Sequence, residues 1–160
     1  MFESITLTEE MLKELHLIEN MKIEPLNIEY ESCHYQINDK TYRSRRAKKT
    51  LNKQGYFVVF WIKDENNKNR PYTYEETLDK LIVTIIDERK KGQFAFPKDL
   101  LYKKKIISSN NITGKMAMRV YPTWEDNLNK TASQTQKWQK DYFIDLSDKV
   151  DIRRLTELYY

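Results

Sequence analysis

The sequence predicts an α/β fold, a single domain over residues 1–160 with a mixed central β-sheet flanked by helices. Three observations carry that expectation. The chain has 160 residues, 39% of them apolar and 12% aromatic, which is material for one hydrophobic core and too little for two. Two runs apolar at nearly every position, residues 56–62 and 81–86, have the pattern of strands buried on both faces. Helical spacing replaces that pattern at 8–18 and again at 129–143.

In chain order, Met11, Leu12, Leu15 and Ile18 predict a helix over 8–18, with Thr6 and Glu9 as its capping box. Residues 30–37 and 41–49 read as a β-hairpin about the polar turn Asn38-Asp39-Lys40, which brings Glu29 and Glu31 toward the basic second strand. The strands at 56–62 and 81–86 follow, separated by the polar stretch that begins at Asp64. Residues 93–96 form a shorter strand ending at Pro97, whose fixed backbone suits the first turn of a helix through Leu100 and Leu101. After a turn at Asn110-Asn111, residues 115–121 alternate. Met116, Met118 and Val120 point to the core, and Lys115, Ala117, Arg119 and Tyr121 to the opposite face, which makes Arg119 a candidate phosphate ligand. The last helix, 129–143, aligns Thr131, Thr135, Trp138 and Tyr142 along an unusually polar stripe. With only three glycines and four prolines, connections should be short.

Charge is distributed unevenly. Between Lys40 and Lys53 stand seven cations and no acid, and between Arg89 and Lys105 seven more against Asp99 alone. The rest of the chain holds 14 basic and 23 acidic residues, so a net charge of +4 conceals a positive face on an acidic body, provided the two basic segments meet in space. Such a face suits phosphate recognition, and equally a solvated strand surface. No segment approaches the roughly 20 apolar residues of a membrane span, and the N-terminus lacks a signal pattern, so the expected compartment is the cytoplasm. A lone cysteine, Cys33, excludes an internal disulfide and a multi-cysteine zinc site, and is expected half-buried on a strand.

Five ordered motifs resemble the MepB-like family: Arg45-Arg-Ala-Lys48 with Thr50, Lys53, Gly55, Phe57-Val58 and Trp61, then Phe96-Pro-Lys98, Gly114-Lys115, Arg119-Val-Tyr-Pro-Thr-Trp124 and Thr135-Gln-Lys-Trp-Gln139. The likeness runs from Glu31 to Phe143, with Leu51 where family members usually carry proline. The resemblance implies a bacterial protein without a settled enzymatic activity, a compact α/β domain similar to restriction-endonuclease cores, and DNA as partner. In such cores a Glu-x-Lys or Asp-x-Lys triplet on the second hairpin strand holds Mg²⁺. Here the triplet reads Arg46-Ala47-Lys48, and a cation at the acid's place repels a dication.

The expected function is therefore nucleic-acid binding to the phosphate backbone, DNA favoured over RNA, with no catalysis, metal or cofactor. The expected contacts are Arg45, Lys48, Lys53, Lys98, Lys115, Arg119 and Trp124. For Arg45 and Lys48 the competing role is salt bridging to Glu29 or Glu31. Their opposite strand parity lets both face one site only if the strand bulges or ends between them. Trp124 either stacks on a base or closes the core, Trp61 and Trp138 belong to the core, and Gln134, Gln136 and Gln139 read base edges or only solvate a helix. Two alternatives remain. One is a metal-dependent nuclease or other phosphate-ester enzyme using Lys48 with Glu31 and Asp79, and the other a protein-interaction module.

Overall fold

The computed structural model describes all 160 residues. Helix α1 (Glu3–Leu12) starts well before the predicted position, and Thr6 and Glu9 do not cap it. Its N-terminus is held from a distance: the Glu31 carboxylate accepts both the backbone N–H and the hydroxyl of Ser4, at 2.9 and 2.8 Å, placing an anion where the helix dipole favours one. With that start, Ile5, Thr8 and Leu12 form the buried stripe.

Strands β1 (Glu19–Ile23), β2 (Cys33–Ile37) and β3 (Lys40–Arg46) form an antiparallel meander, and the β2–β3 hairpin turns at Asn38, as the sequence predicts. A short pair follows, β4 (Lys48–Lys49) and β5 (Tyr56–Val59), then a small hairpin of β6 (Trp61–Lys63) and β7 (Asn69–Pro71). The run 56–62 is thus two strands broken at Phe60, whose N–H donates to Met116 O. The long strands β8 (Lys80–Asp87) and β9 (Lys90–Pro97) come next, then α2 (Lys98–Lys103) with Pro97 at its N-cap, β10 (Ala117–Val120), α3 (Lys130–Gln139), β11 (Phe143–Asp145) and α4 (Ile152–Tyr159). The helix predicted over 129–143 ends at Gln139 and passes through a 3₁₀ turn into β11.

The central sheet has six strands in the order β1-β2-β3-β8-β9-β11, and it is mixed because β3 and β8 alone run parallel. Parallel neighbours need a long crossover. Here the crossover carries β4 to β7, and β4 and β5 join β10 in a second sheet of order β10-β5-β4 lying over one face of the first. That face is packed by Leu81, Val83, Ile85, Phe94 and Phe96 against Tyr56, Val58, Val120, Leu101 and Phe143. The other face buries Tyr35, Tyr42, Ile82 and Ala95 against Ile5 and Leu12 of α1 and Leu155, Leu158 and Tyr159 of α4. β8 is buried on both faces, as its continuous apolar run predicts, whereas β5 alternates and leaves Phe57 and Val59 half-buried.

One polar network inside this core is paired, although the buried hydroxyls of Tyr35 and Ser44 have no partner. Gln93 donates to Thr8 and Thr84 and accepts from the Tyr159 hydroxyl, while Tyr42 and Lys80 donate to the last carbonyls of α4. Cys33 is fully buried, not half-buried, and burial pushes its thiol up to about 12, which makes it a packing residue. No helix is long and apolar enough to cross a membrane.

Candidate nucleic-acid interface

The arginines of β3 turn away from solvent. Arg45 is 0% exposed, and its Nη1 donates to Glu24 Oε1 at 2.7 Å and its Nη2 to Asn27 Oδ1 at 3.3 Å. Arg43 meets the other Glu24 oxygen at 3.1 Å and lies 4.2 Å from the centre of the Tyr72 ring. Arg46 pairs with Glu31 at 2.9 Å and with Glu3 at 3.5 Å. Burial opposes the charge of Glu24, but Arg45 and Arg43 outweigh it and hold the carboxyl below its usual range. For Glu31 burial is likewise outweighed, by the Ser4 N–H and Arg46. Asn27, in the left-handed region at φ 64°, uses the same Oδ1 to accept the Trp61 N–H, so the Arg45 network ties β3 to the start of β6. The expectation that Arg45 contacts phosphate is corrected by this packing: Arg45 is an internal clamp, and β3 does not itself present a cationic surface.

A group of solvent-facing cations lies on the outer face of the second sheet. Lys48 of β4 pairs in register with Phe57 of β5, and Phe57 with Arg119 of β10, so the three side chains form one cross-strand row on one face. Phe57 meets Tyr30 edge to face with centroids 6.4 Å apart, and the Lys48 ammonium sits 4.6 Å from the Tyr30 centroid. Arg119 is braced. Its Nε and Nη2 donate to the carbonyl of Gln54 at 3.1 and 2.8 Å, and Nη2 also reaches the carbonyls of Gly55 and Lys53, while Nη1 makes no hydrogen bond within the chain. This bracing needs Gly55, because a Cβ there would lie 2.7 Å from the Tyr121 ring, and its φ is +78°. Lys53 is exposed in the same turn.

Beside this row, the free edge of β10 opens into a cleft of about 300 Å³ lined by Lys104, Lys115, Met118, Arg119, Thr135 and Trp138, among others. The Lys104 ammonium stands 5.1 Å from the Trp138 centroid. Gln139 closes the strand edge as a missing strand would: it accepts the Tyr121 N–H at 2.8 Å and donates to the Arg119 carbonyl at 3.0 Å. Gln136 donates to the Pro122 and Glu125 carbonyls, so neither glutamine is free to read a base.

Of the seven expected contacts, Lys48, Lys53, Lys115 and Arg119 therefore share one surface. Lys98 is apart: it stands at the opposite end of α2 from Lys104, roughly 9 Å of helix away, against the Tyr74 ring. Trp124 packs against the core, half-buried, its ring against Phe143 and Tyr56 and its indole N–H directed at the Tyr56 hydroxyl, with the Lys90 ammonium 5.9 Å from its centroid. Tyr30, Phe57 and Lys104 join the surface without having been anticipated. The triplet Lys103-Lys104-Lys105 was the signal for Lys104, whereas the continuous apolar run 56–62 gave none for Phe57.

The carboxylates of the alternative enzyme reading do not converge. Glu31 bonds Arg46 at one end of β3, and Asp79 accepts from the Thr41 N–H and hydroxyl at the other. Thr41 and Arg46 are separated by roughly 16 Å of extended strand. No three His, Cys, Asp or Glu side chains cluster as a metal-ligand set.

Residues 24–145 match the MepB-like family. A crystal structure of MepB is similar to this chain at 45% sequence identity with a TM-score of 0.83, over 93% of this chain and 100% of that one. No curated protein matches.

Proposed function

The chain belongs to the MepB-like family, and from the geometry of its exposed cations we propose that it binds nucleic acid by the phosphate backbone, without catalysis. The observation that carries this reading is the row Lys48, Phe57, Arg119, extended on one side by Lys53 and on the other by Lys115 and Lys104. Both basic segments of the sequence contribute to it, Lys48 and Lys53 from the first and Lys104 from the second. Arg119, braced by backbone carbonyls, loses little freedom on meeting a phosphate, and Phe57 and Tyr30 between them give a base or sugar an apolar surface. Nothing in the row presents a fixed base-edge reader, so binding is largely independent of sequence.

In this reading the six-stranded sheet corresponds to a restriction-endonuclease-like core, DNA is favoured over RNA, and the protein works in the cytoplasm. Arg46, paired with Glu31, occupies the place where such a core would need a metal-binding acid.

Fluorescence anisotropy of a labelled oligonucleotide across a salt series tests the proposal. Kd is expected at roughly 10⁻⁴ to 10⁻⁶ M near physiological salt, and the log–log slope near −4 for about five phosphate contacts. An affinity that stays flat with salt, or no binding at low salt, contradicts it.

A further inference from the structure

Away from the cationic row, the N-terminal half of α2 faces the loop after β7 across an open cavity of about 480 Å³ lined by Tyr74, Glu75, Asp99, Tyr102, Ser109 and Asn110. Its two rings stand nearly at right angles, Tyr74 and Tyr102 having centroids 5.5 Å apart and planes 77° apart. The Tyr74 hydroxyl donates to Asp99 Oδ1 at 3.0 Å, and the second carboxylate oxygen makes no hydrogen bond within the chain. Neither Asp99 nor Glu75 forms an ion pair within the chain. In a chain of net charge +4, this cavity has two carboxylates and no cation in its lining.

The walls are anchored. Tyr74 N–H donates to the Ser108 carbonyl at 2.9 Å, and Thr73 bridges Ser108 in parallel register. Glu76 fixes the loop from behind, accepting from the Thr73 N–H and from both Arg70 terminal nitrogens at 2.7 Å. A second observation shows what the Tyr74 ring accepts: the Lys98 ammonium stands 4.0 Å from its centroid, yet Lys98 is not part of the cavity lining. The chain already uses Tyr74 as a cation acceptor outside the cavity.

We propose that this cavity binds an organic cation, a guanidinium or substituted ammonium group seated in the corner formed by the Tyr74 and Tyr102 rings with Asp99 and Glu75 as counter-charges. Perpendicular aromatic walls reward a diffuse, weakly hydrated cation. A hard metal ion is poorly served, since Ca²⁺ takes six to eight oxygen ligands and the cavity supplies two carboxylates at its rim. The same chemistry belongs to a free guanidino or amine compound and to an arginine side chain of another protein.

Amide NMR titration of the whole protein with methylguanidinium, at constant ionic strength, tests the site, with methylurea as the uncharged isostere and a capped Gly-Arg-Gly peptide as the side-chain source. Saturable shifts confined to residues 74–75, 99–102 and 109–110 are expected with methylguanidinium and not with methylurea. Tighter binding of the peptide assigns the site to a protein partner, and equal or weaker binding to a free compound. Tyr102→Ala, a change at a side chain 47% exposed, should weaken binding about two- to fivefold while Tyr102→Phe retains it, because the ring and not the hydroxyl holds the cation. The combined Glu75→Gln and Asp99→Asn variant should abolish saturation. Shifts that do not saturate, that methylurea reproduces, or that survive Tyr102→Ala unchanged overturn the proposal.

Discussion

Arg45 and Arg119 are the same residue type in two motifs of one family, and the structure gives them opposite tasks. Arg45 is sealed against Glu24 and Asn27, while Arg119 is braced from behind by the Gln54 and Gly55 carbonyls and open in front. Removing one member of a buried ion pair leaves the other charge uncompensated, which costs about 3–5 kcal/mol. Arg45→Ala should therefore lower the urea unfolding midpoint severely. Arg119→Ala should move the midpoint little and weaken binding of every oligonucleotide alike, which paired denaturation and anisotropy measurements on both variants will show. Sequence recorded that both residues are basic and that Arg45 and Lys48 differ in parity. It could not record that Glu24, outside all five motifs, turns inward to meet Arg45, because that contact depends on the left-handed turn at Asn27. The alternation of 115–121 was a partial guide: Val120 is buried and Arg119 lies on the opposite face, but Met116, expected in the core, precedes the strand and is 42% exposed.

Elements were legible where their signal is local. The β2–β3 hairpin, the buried β8 and the start of α2 at Pro97 all follow from neighbouring residues. The start of α1 does not, since its cap is Glu31, 27 positions along the chain from Ser4. The break at Phe60 depends on the carbonyl of Met116, equally distant from any local pattern. The end of α3 is the element that most concerns the site, for Gln139 there supplies the hydrogen bonds a further strand would have given β10. Gln139→Ala leaves two ladder groups unpaired next to a fully buried side-chain position, at a cost of about 1–3 kcal/mol. Faster hydrogen exchange at the Tyr121 amide, with exchange in the β2–β3 hairpin unchanged, is the expected result.

At the scale of the whole molecule, part of the uneven charge of the sequence resolves into Arg43, Arg45 and Arg46 paired with Glu24 and Glu31, while Lys48, Lys53, Lys115 and Arg119 remain on one surface. The internal pairs predict the acid response. Glu24, Glu31 and Glu76 all lie below the ordinary value of 4.5 in the folded protein, Glu76 at about 2 through its Arg70 hydrogen bonds. A carboxyl depressed by folding stabilises fully above its unfolded value and loses that contribution as pH falls through the folded one. The denaturation midpoint should thus hold steady from neutral pH to about 4.5 and decline below it, with the Glu76 share gone only beneath about 2. If the proposed restriction-endonuclease-like correspondence holds, Arg46 takes the place of a metal-holding acid; with Glu31 and Asp79 at opposite ends of β3, DNA and RNA should remain intact with Mg²⁺, Mn²⁺ or EDTA. Metal-dependent cleavage lost in a Glu31→Ala, Asp79→Ala variant would reverse that expectation. The central claim concerns place, and the most direct measurement compares two triple variants in one salt series of anisotropy titrations. One removes Lys48, Lys53 and Lys115, and the other the exposed Lys13, Lys22 and Lys149, which lie outside the row and the cleft. Each loses three charges, so net charge is controlled. The first should bind more weakly, with a salt slope shallower by about 2–3 units, and the second should match the wild type. Equal loss in both would contradict the account, since binding would then follow total charge and not this surface.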